Sequence, residues 1–210
     1  VLRALLAFGV FSICASSVYL LNDVLDIEAD RAHATKKARP FAAGLLLPRV
    51  GVAASFGLLA VSLALAFGVL GVGFGMTMVL YVTLTTAYSF VLKTYSTVDV
   101  IALALLYTLR IIAGAVALKT YPSPWLLTFS MFFFLSLAYL KRYIELSKIT
   151  GTRGLPSRNY WASDLTVVQI FGISNGALSL LTLAEYVTST DVTMRYTAPS
   201  NSNTSATWST

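Results

Sequence analysis

Residues 20–44 read LLNDVLDIEADRAHATKKARPFAAG. Four carboxylates (Asp23, Asp26, Glu28 and Asp30) fall within nine positions, and five basic or imidazole side chains (Arg31, His33, Lys36, Lys37 and Arg39) fall within the next nine. On either side the chain turns apolar for about the roughly 20 residues that a helix needs to cross a bilayer. A dense island of charge between two such stretches sits at the mouth of a membrane helix. That reading decides the fold.

The rest of the chain agrees. Of its 210 residues, 57% are hydrophobic and 11% charged, against about 25% charged in soluble domains, and the mean hydropathy is +0.75. The bilayer is the natural solvent for such a sequence. Apolar stretches at approximately 2–21, 48–70, 73–92, 98–118, 122–140 and 165–187 predict six spans. Backbone groups in lipid must be satisfied by helices or a closed barrel, and continuous apolar runs without alternation select helices. The expected fold class is all-α, a multi-pass transmembrane helical bundle. Pro48 suits the first turn of the second span, where its missing N–H is harmless, and Pro122 and Pro124 mark the start of the fifth. No short internal repeat is visible. Cys14, the single cysteine, lies in an apolar run and reads as a small buried hydrophobe with no intrachain disulfide.

The net charge of +6 does not point to nucleic acid, because the basic residues gather in loops between spans. With alternating helices, eleven of them (Arg31, Lys36, Lys37, Arg39, Arg49, Lys93, Lys141, Arg142, Lys148, Arg153 and Arg158) fall on one side. Only Arg3, Lys119 and Arg195 fall on the other. The positive-inside rule then predicts that segments 22–47 and 141–164 face the cytoplasm, with any chemistry they carry.

If the first helix continues past the membrane face, Asn22, Asp26 and Asp30 follow at i, i+4 and i+8, with Asp23 one step around and Glu28 pointing away. Like charges at such spacings repel, and a nearby membrane raises their cost. One reading is a solvated charge run with internal salt bridges. The other is a magnesium site, since Mg²⁺ takes hard oxygen ligands, typically one or two carboxylates plus substrate phosphates. Lys36, Lys37 and Arg39 are then placed to grip phosphate oxygens, Arg as a fork and Lys as a point charge.

The pattern ND-x-x-D-x-x-x-D-x-x-x-x-x-K-x-x-R-P-x-x-x-G, from Asn22 to Gly44, resembles the first aspartate-rich motif of the UbiA superfamily of intramembrane prenyltransferases. The resemblance implies a bundle of about nine helices around a central cavity. It implies Mg²⁺ held by Asn22, Asp23, Asp26 and Asp30, and a polyprenyl diphosphate or polyprenyl phosphate lipid with a small-molecule co-substrate. The chain would begin in the family's second helix and end after its seventh, a fragment incomplete at both ends. Residues 1–188 form the expected transferase domain, and 189–210 a polar tail without assignment. YSFVLK, from Tyr88 to Lys93, followed by Asp99, resembles the family's Tyr/Lys segment. LRIIAGA places Arg110 inside a span, where a cation is costly and functional by default. Asp99, eleven residues earlier, lies some 16 Å away along the axis, too far for a direct pair. Arg110 is expected to reach a phosphate in the cavity; snorkelling or a pair with Glu185 is the structural alternative.

Most members carry a second acidic motif, D-x-x-x-D, in the region matching 141–164. This chain has LKRYIELSKITG there, with Lys141, Arg142 and Glu145 on adjacent helix turns and Asp164 as the one further acid. Such a set makes a poor second metal site and a better site for an extra phosphate. The departure resembles a branch of decaprenylphosphate phosphoribosyltransferase-like proteins, and 158–188 resembles members fused downstream of a haloacid-dehalogenase-like domain. Two transfers are therefore expected as alternatives: a polyprenyl group from its diphosphate, favoured by family frequency, or a phosphoribosyl group to a polyprenyl phosphate, favoured by the missing acids. In both, charge flows into a departing diphosphate. No nucleophilic triad is present, and His33 reads as a phosphate contact or solvated loop residue. A cation or lipid-phosphate transporter is the remote alternative, because transporters place ionisable groups near the midplane.

Overall fold

A computed structural model describes residues 1–32, 35–148 and 159–189. Among them it contains seven α-helices and no strand: α1 Leu2–Leu25, α2 Ile27–Ala32, α3 Pro48–Leu65, α4 Val72–Phe90, α5 Ser96–Leu118, α6 Pro124–Ser147 and α7 Leu165–Thr188. Six of these are long and apolar enough to cross a membrane, α3 being extended by a π-helical turn over Ala66–Leu70. The expected all-α multi-pass bundle is what the chain forms. His33, Arg153, Arg158, Arg195 and the tail beyond Ser189 lie outside the described residues.

Local sequence explains the joints. Pro48 and Pro124 each open a helix in its first turn. Pro122 lies outside, so the fifth span starts two residues later than expected. Gly71, at φ +98°, is the whole link between the end of α3 and the start of α4, a conformation L side chains resist. Lys119 closes α5 in the left-handed region, with Lys119 N–H on the Val116 carbonyl (3.1 Å) and Thr120 N–H on that of Ala115 (2.9 Å), a Schellman end. At the same end of the bundle, Arg3 Nε donates to the Ala117 carbonyl (2.6 Å) and its Nη2 to that of Leu70 (2.7 Å). The first helix thereby caps the last turns of its two neighbours.

α1 is the hub, packed on α3, α4 and α5; α5 continues to α6, and α6 pairs with α7. The main core joins Val10 and Cys14 of α1, Leu70, Phe74 and Met78, and Leu106 and Leu109 of α5. Small buried residues (Ala7, Ala66, Ala113, Ala117) let the backbones approach closely, the usual basis of helix packing in lipid. A second cluster of Val100, Ala138, Leu146, Tyr160 and Val168 seats α6 on α5 and α7.

The loop after α2 is anchored by Phe41, which is buried. A Cβ on Gly51 of α3 would stand 2.6 Å from both Phe41 Cζ and Val24 Cγ2, so α1, α3 and this loop meet where only hydrogen fits. Gly51→Ala is expected to cost about 1–3 kcal/mol by overpacking. Thermal unfolding in detergent checks this, and an unchanged melting temperature would mean that Phe41 is not seated there.

Candidate active site

The stretch 20–44 folds back on itself. α1 passes through a single-residue turn at Asp26 into α2, and the helical bonds carry on, Asp26 N–H to Asn22 O (2.9 Å) and Asp30 N–H to Asp26 O (2.8 Å). The condition that gives the spacing of Asn22, Asp26 and Asp30 its meaning, a first helix that continues past the membrane face, is therefore met. A 3₁₀ turn at Lys36–Ala38 and Gly44 at φ +75° then turn the chain. Arg31 Nε donates to the Ala42 carbonyl (3.0 Å) and holds the returning strand of chain against α2. Arg39 Nη1 lies between Asp23 Oδ1 (2.8 Å) and Asp30 Oδ2 (2.9 Å). Asp30 is buried, while Lys36, Lys37 and Glu28 are exposed at the rim.

Asn22 and Asp26 face elsewhere. They line a cavity of about 310 Å³ with Tyr88, Ser89 and Lys93, at the junction of α1 with the end of α4. No described residue bonds the side chain of Asn22 or Asp26. A second cavity of about 90 Å³ also touches Asn22 and Tyr88, and runs deeper to Tyr19, Tyr81, Tyr107 and Arg110. A third, of about 340 Å³, shares Ala15 and Arg110 with the second and is otherwise mostly apolar. Neighbouring cavities share lining residues, so the three follow one another along α1, beside α4 and α5, from a polar mouth to apolar walls that reach Ala4 and Leu118 at the other end of the bundle. Within it Arg110 bonds the hydroxyls of Tyr81 (3.2 Å) and Tyr19 (3.5 Å) and faces three aromatic rings. The alternative pairing with Glu185 does not occur, since Glu185 lies on the exposed face of α7.

Sequence reasoning missed one arrangement altogether. Tyr88 OH donates to Asp99 Oδ1 (2.8 Å), and Asp99 is fully buried against Arg142, which reaches it through Nε and Nη2 (3.2 Å). Arg142 Nη1 bonds Glu145. Arg142, expected on an extra phosphate, is fully buried with its guanidinium on two carboxylates, and Lys141 beside it is exposed. Next to them Tyr160 OH donates to the Ser96 carbonyl, and burial pushes its phenol above the ordinary tyrosine range. The signal was available in part. A carboxylate in the first turn of an apolar span needs a cation at the same depth, and Arg110 on its own helix lies too far along the axis to be that cation.

Asn22, Asp26, Tyr88 and Lys93 are thus brought together, with Asp23, Asp30 and Arg39 as an ion triad beside them and Arg110 below. Among the described residues no three acids, histidines or cysteines converge as a metal-holding group. A model of the UbiA prenyltransferase family matches residues 1–193. The chain belongs to that family. It is 42% identical over 141 residues to a decaprenyl-phosphate phosphoribosyltransferase of Mycobacterium tuberculosis, covering 67% of this chain and 46% of that protein. It is 37% identical over 183 residues to an uncharacterized protein of Sinorhizobium fredii, covering 86% of this chain and 35% of the relative. A nodulation protein, NoeC, of Azorhizobium caulinodans is 34% identical over 188 residues, 87% of this chain and 60% of its own length. The chain thus spans less than two thirds of the length of each of these relatives.

The Asp99–Arg142 pair makes a direct forecast. Arg142→Met leaves a buried carboxylate without its cation, a loss of about 3–5 kcal/mol. The double variant Asp99→Leu/Arg142→Met is expected to be more stable than Arg142→Met alone. A thermal-unfolding mutant cycle in detergent reads the coupling, and strictly additive effects would show that the two do not interact.

Proposed function

We propose that this UbiA domain is the core of a Mg²⁺-dependent membrane transferase that moves a phosphoribosyl group from phosphoribosyl diphosphate to a polyprenyl phosphate at the cytoplasmic face. The observation that carries the choice of donor is the fate of the acids in 141–164. Glu145 is taken by Arg142, and Asp164 accepts the Trp161 N–H (2.9 Å) at the start of its own helical turn. The acids that a second metal site would use are committed elsewhere. The relatives named as decaprenyl-phosphate phosphoribosyltransferases, of three genera, support the same reading.

One metal fits the first motif. Asn22 and Asp26, whose side chains no described residue bonds, line one polar cavity, and one or two carboxylates plus substrate phosphates are what Mg²⁺ ordinarily asks of a protein. Bound there, Mg²⁺ would neutralise charge on the departing diphosphate. Lys93 borders the same cavity and adds a cation, and Lys36 and Lys37 at the rim extend the attraction for an incoming polyphosphate. Arg39 keeps Asp23 and Asp30 compensated beside it. Tyr88, tied to Asp99, gives the cavity a fixed wall. In the reaction the bond from ribose C1 to the diphosphate oxygen breaks and its electron pair leaves with the diphosphate. An oxygen of the lipid phosphate forms the new bond to C1. The transition state is cation-like, so fixed charges at the leaving group carry most of the acceleration, and apolar walls keep water from C1. Polyprenyl transfer from its diphosphate is the second reading; the family match favours it, and it uses the same first motif.

Asp26→Asn is expected to lower transfer by about 10²-fold or more, the usual cost of losing a fixed electrostatic contact, while the protein still inserts in membranes. Chelation should abolish transfer and added Mg²⁺ restore it. The decisive assay offers labelled phosphoribosyl diphosphate and labelled prenyl diphosphate together, with extracted lipid as acceptor. Label from the prenyl donor alone would transfer the assignment to the second reading, and full activity in Asp26→Asn would remove the site.

A further inference from the structure

Arg110 sits near the middle of α5, eleven residues beyond Asp99 and so about 16 Å further along the axis. A guanidinium at such depth is ordinarily paired, as Arg142 is in this same bundle. Arg110 is held differently. Its Nη2 bonds two phenols, and the rings of Phe11, Tyr81 and Tyr107 lie 4.9–5.9 Å from its Cζ. These groups lower the cost of the cation without cancelling its charge. Its Nε is buried and has no hydrogen-bond partner, and among the described residues no carboxylate lies within ion-pair distance of it.

Its place in the path of cavities says what would complete it. Toward the mouth, the small cavity reaches Asn22 and Tyr88, which also line the polar cavity assigned above to the metal. Away from the mouth lie about 340 Å³ walled by Ala7, Phe8, Phe74 and Gly114, within the usual size of a small-molecule pocket. A ligand that uses both sides of Arg110 needs an anionic head and an apolar body. The donor has no apolar body, and the carboxylate that would help hold its metal, Asp26, lines the polar cavity at the mouth and neither of these two.

We infer that Arg110, framed by Tyr19 and Tyr81, is the seat of the acceptor: it holds the monophosphate of a polyprenyl phosphate whose first isoprene units fill the apolar cavity. The inference rests on the transfer to a lipid phosphate proposed above and deepens it. Donor and acceptor phosphates occupy different cations, Lys93 and Arg110, and Asn22 lies between them. The two negative charges approach each other only across the carbon that reacts.

The test is lipid retention without donor, by the intact protein in nanodiscs that contain equal amounts of a polyprenyl monophosphate and its parent polyprenol. Lipids that stay bound are read by mass spectrometry. The wild type is expected to favour the monophosphate about tenfold or more (1.4 kcal/mol), and Arg110→Gln to erase that preference. Gly114→Leu adds a side chain that begins in open space on the wall of the apolar cavity and takes up part of it. It is expected to reduce retention of phosphate and alcohol alike. Excess inorganic phosphate should not displace the lipid. A preference that survives in Arg110→Gln, full retention in Gly114→Leu, or displacement by inorganic phosphate overturns the assignment; where Arg110→Gln does not insert, Gly114→Leu decides. Because retention needs no turnover, a wild type that holds the lipid phosphate yet transfers no phosphoribosyl group loses only the donor reading.

Discussion

Arg142 reaches from α6 to Asp99 of α5 inside an apolar bundle, and neither side chain has any exposure. Taking both charges out of water is expensive, and only close geometry with further hydrogen bonds offsets it. Here the offsets are present: two guanidinium nitrogens on Asp99, a third on Glu145, and the Tyr88 hydroxyl on the remaining side. The consequence is geometric. α5 and α6 are fixed in register by this pair, and α4 is tied to them through Tyr88. Since Tyr88 and Asn22 face the same two cavities, the position of the candidate site's wall is set by a contact made on its far side. α1 could pack on α4 and α5 through small residues alone, but packing of that kind does not select one rotation. The buried charges do.

The six spans were legible because their signal is one-dimensional. Runs such as 48–70 and 98–118 are long and mostly apolar, their only charged residues being Arg49, Asp99 and Arg110, and the prolines at 48 and 124 mark starts without reference to the rest of the chain. The helical spacing of Asn22, Asp26 and Asp30 has meaning only if the first helix continues past the membrane face, and it does. What was not legible depends on which helices touch. Asp99 and Arg142 are 43 residues apart, and their pairing requires α5 and α6 to be neighbours at one depth. Hydropathy stops at Lys141, whereas the helix continues to Ser147, as the placing of Lys141, Arg142 and Glu145 on adjacent turns implies; what hydropathy does not show is that Arg142 and Leu146 turn inward while Lys141 and Ile144 are exposed. The order of acids and bases in 22–39 pointed to metal and phosphate, but not to Arg39 folding back on Asp23 and Asp30. That return depends on the turns at 36–38 and at Gly44, which no helical period describes.

The path of cavities gives the charge distribution a direction. At the mouth are an acid, an amide and Lys93; deeper, phenols surround Arg110; beyond it the walls are alanine and phenylalanine. Each step inward removes a kind of polar partner. An amphipathic lipid finds its head and tail preferences matched in sequence along such a path, while a wholly polar molecule finds favourable surroundings only near the mouth. The arrangement therefore favours amphipathic and wholly polar molecules at different depths.

The stretch 20–44 also solves a problem of its own. Acids at positions 23, 26 and 30 of one near-continuous helix repel each other, and an empty metal site would leave that repulsion uncompensated at a membrane boundary. Arg39 takes two of the three, and the buried Asp30 is the one that most needs it. Asp26 is left open, opposite Lys93 across the cavity they share. The charges facing that cavity then nearly cancel before anything binds. A metal and a diphosphate arriving together preserve that balance, whereas either alone disturbs it. Acids followed by bases in the sequence thus serve the folded chain first, by making the site stable while empty, and favour a ligand that carries both signs of charge.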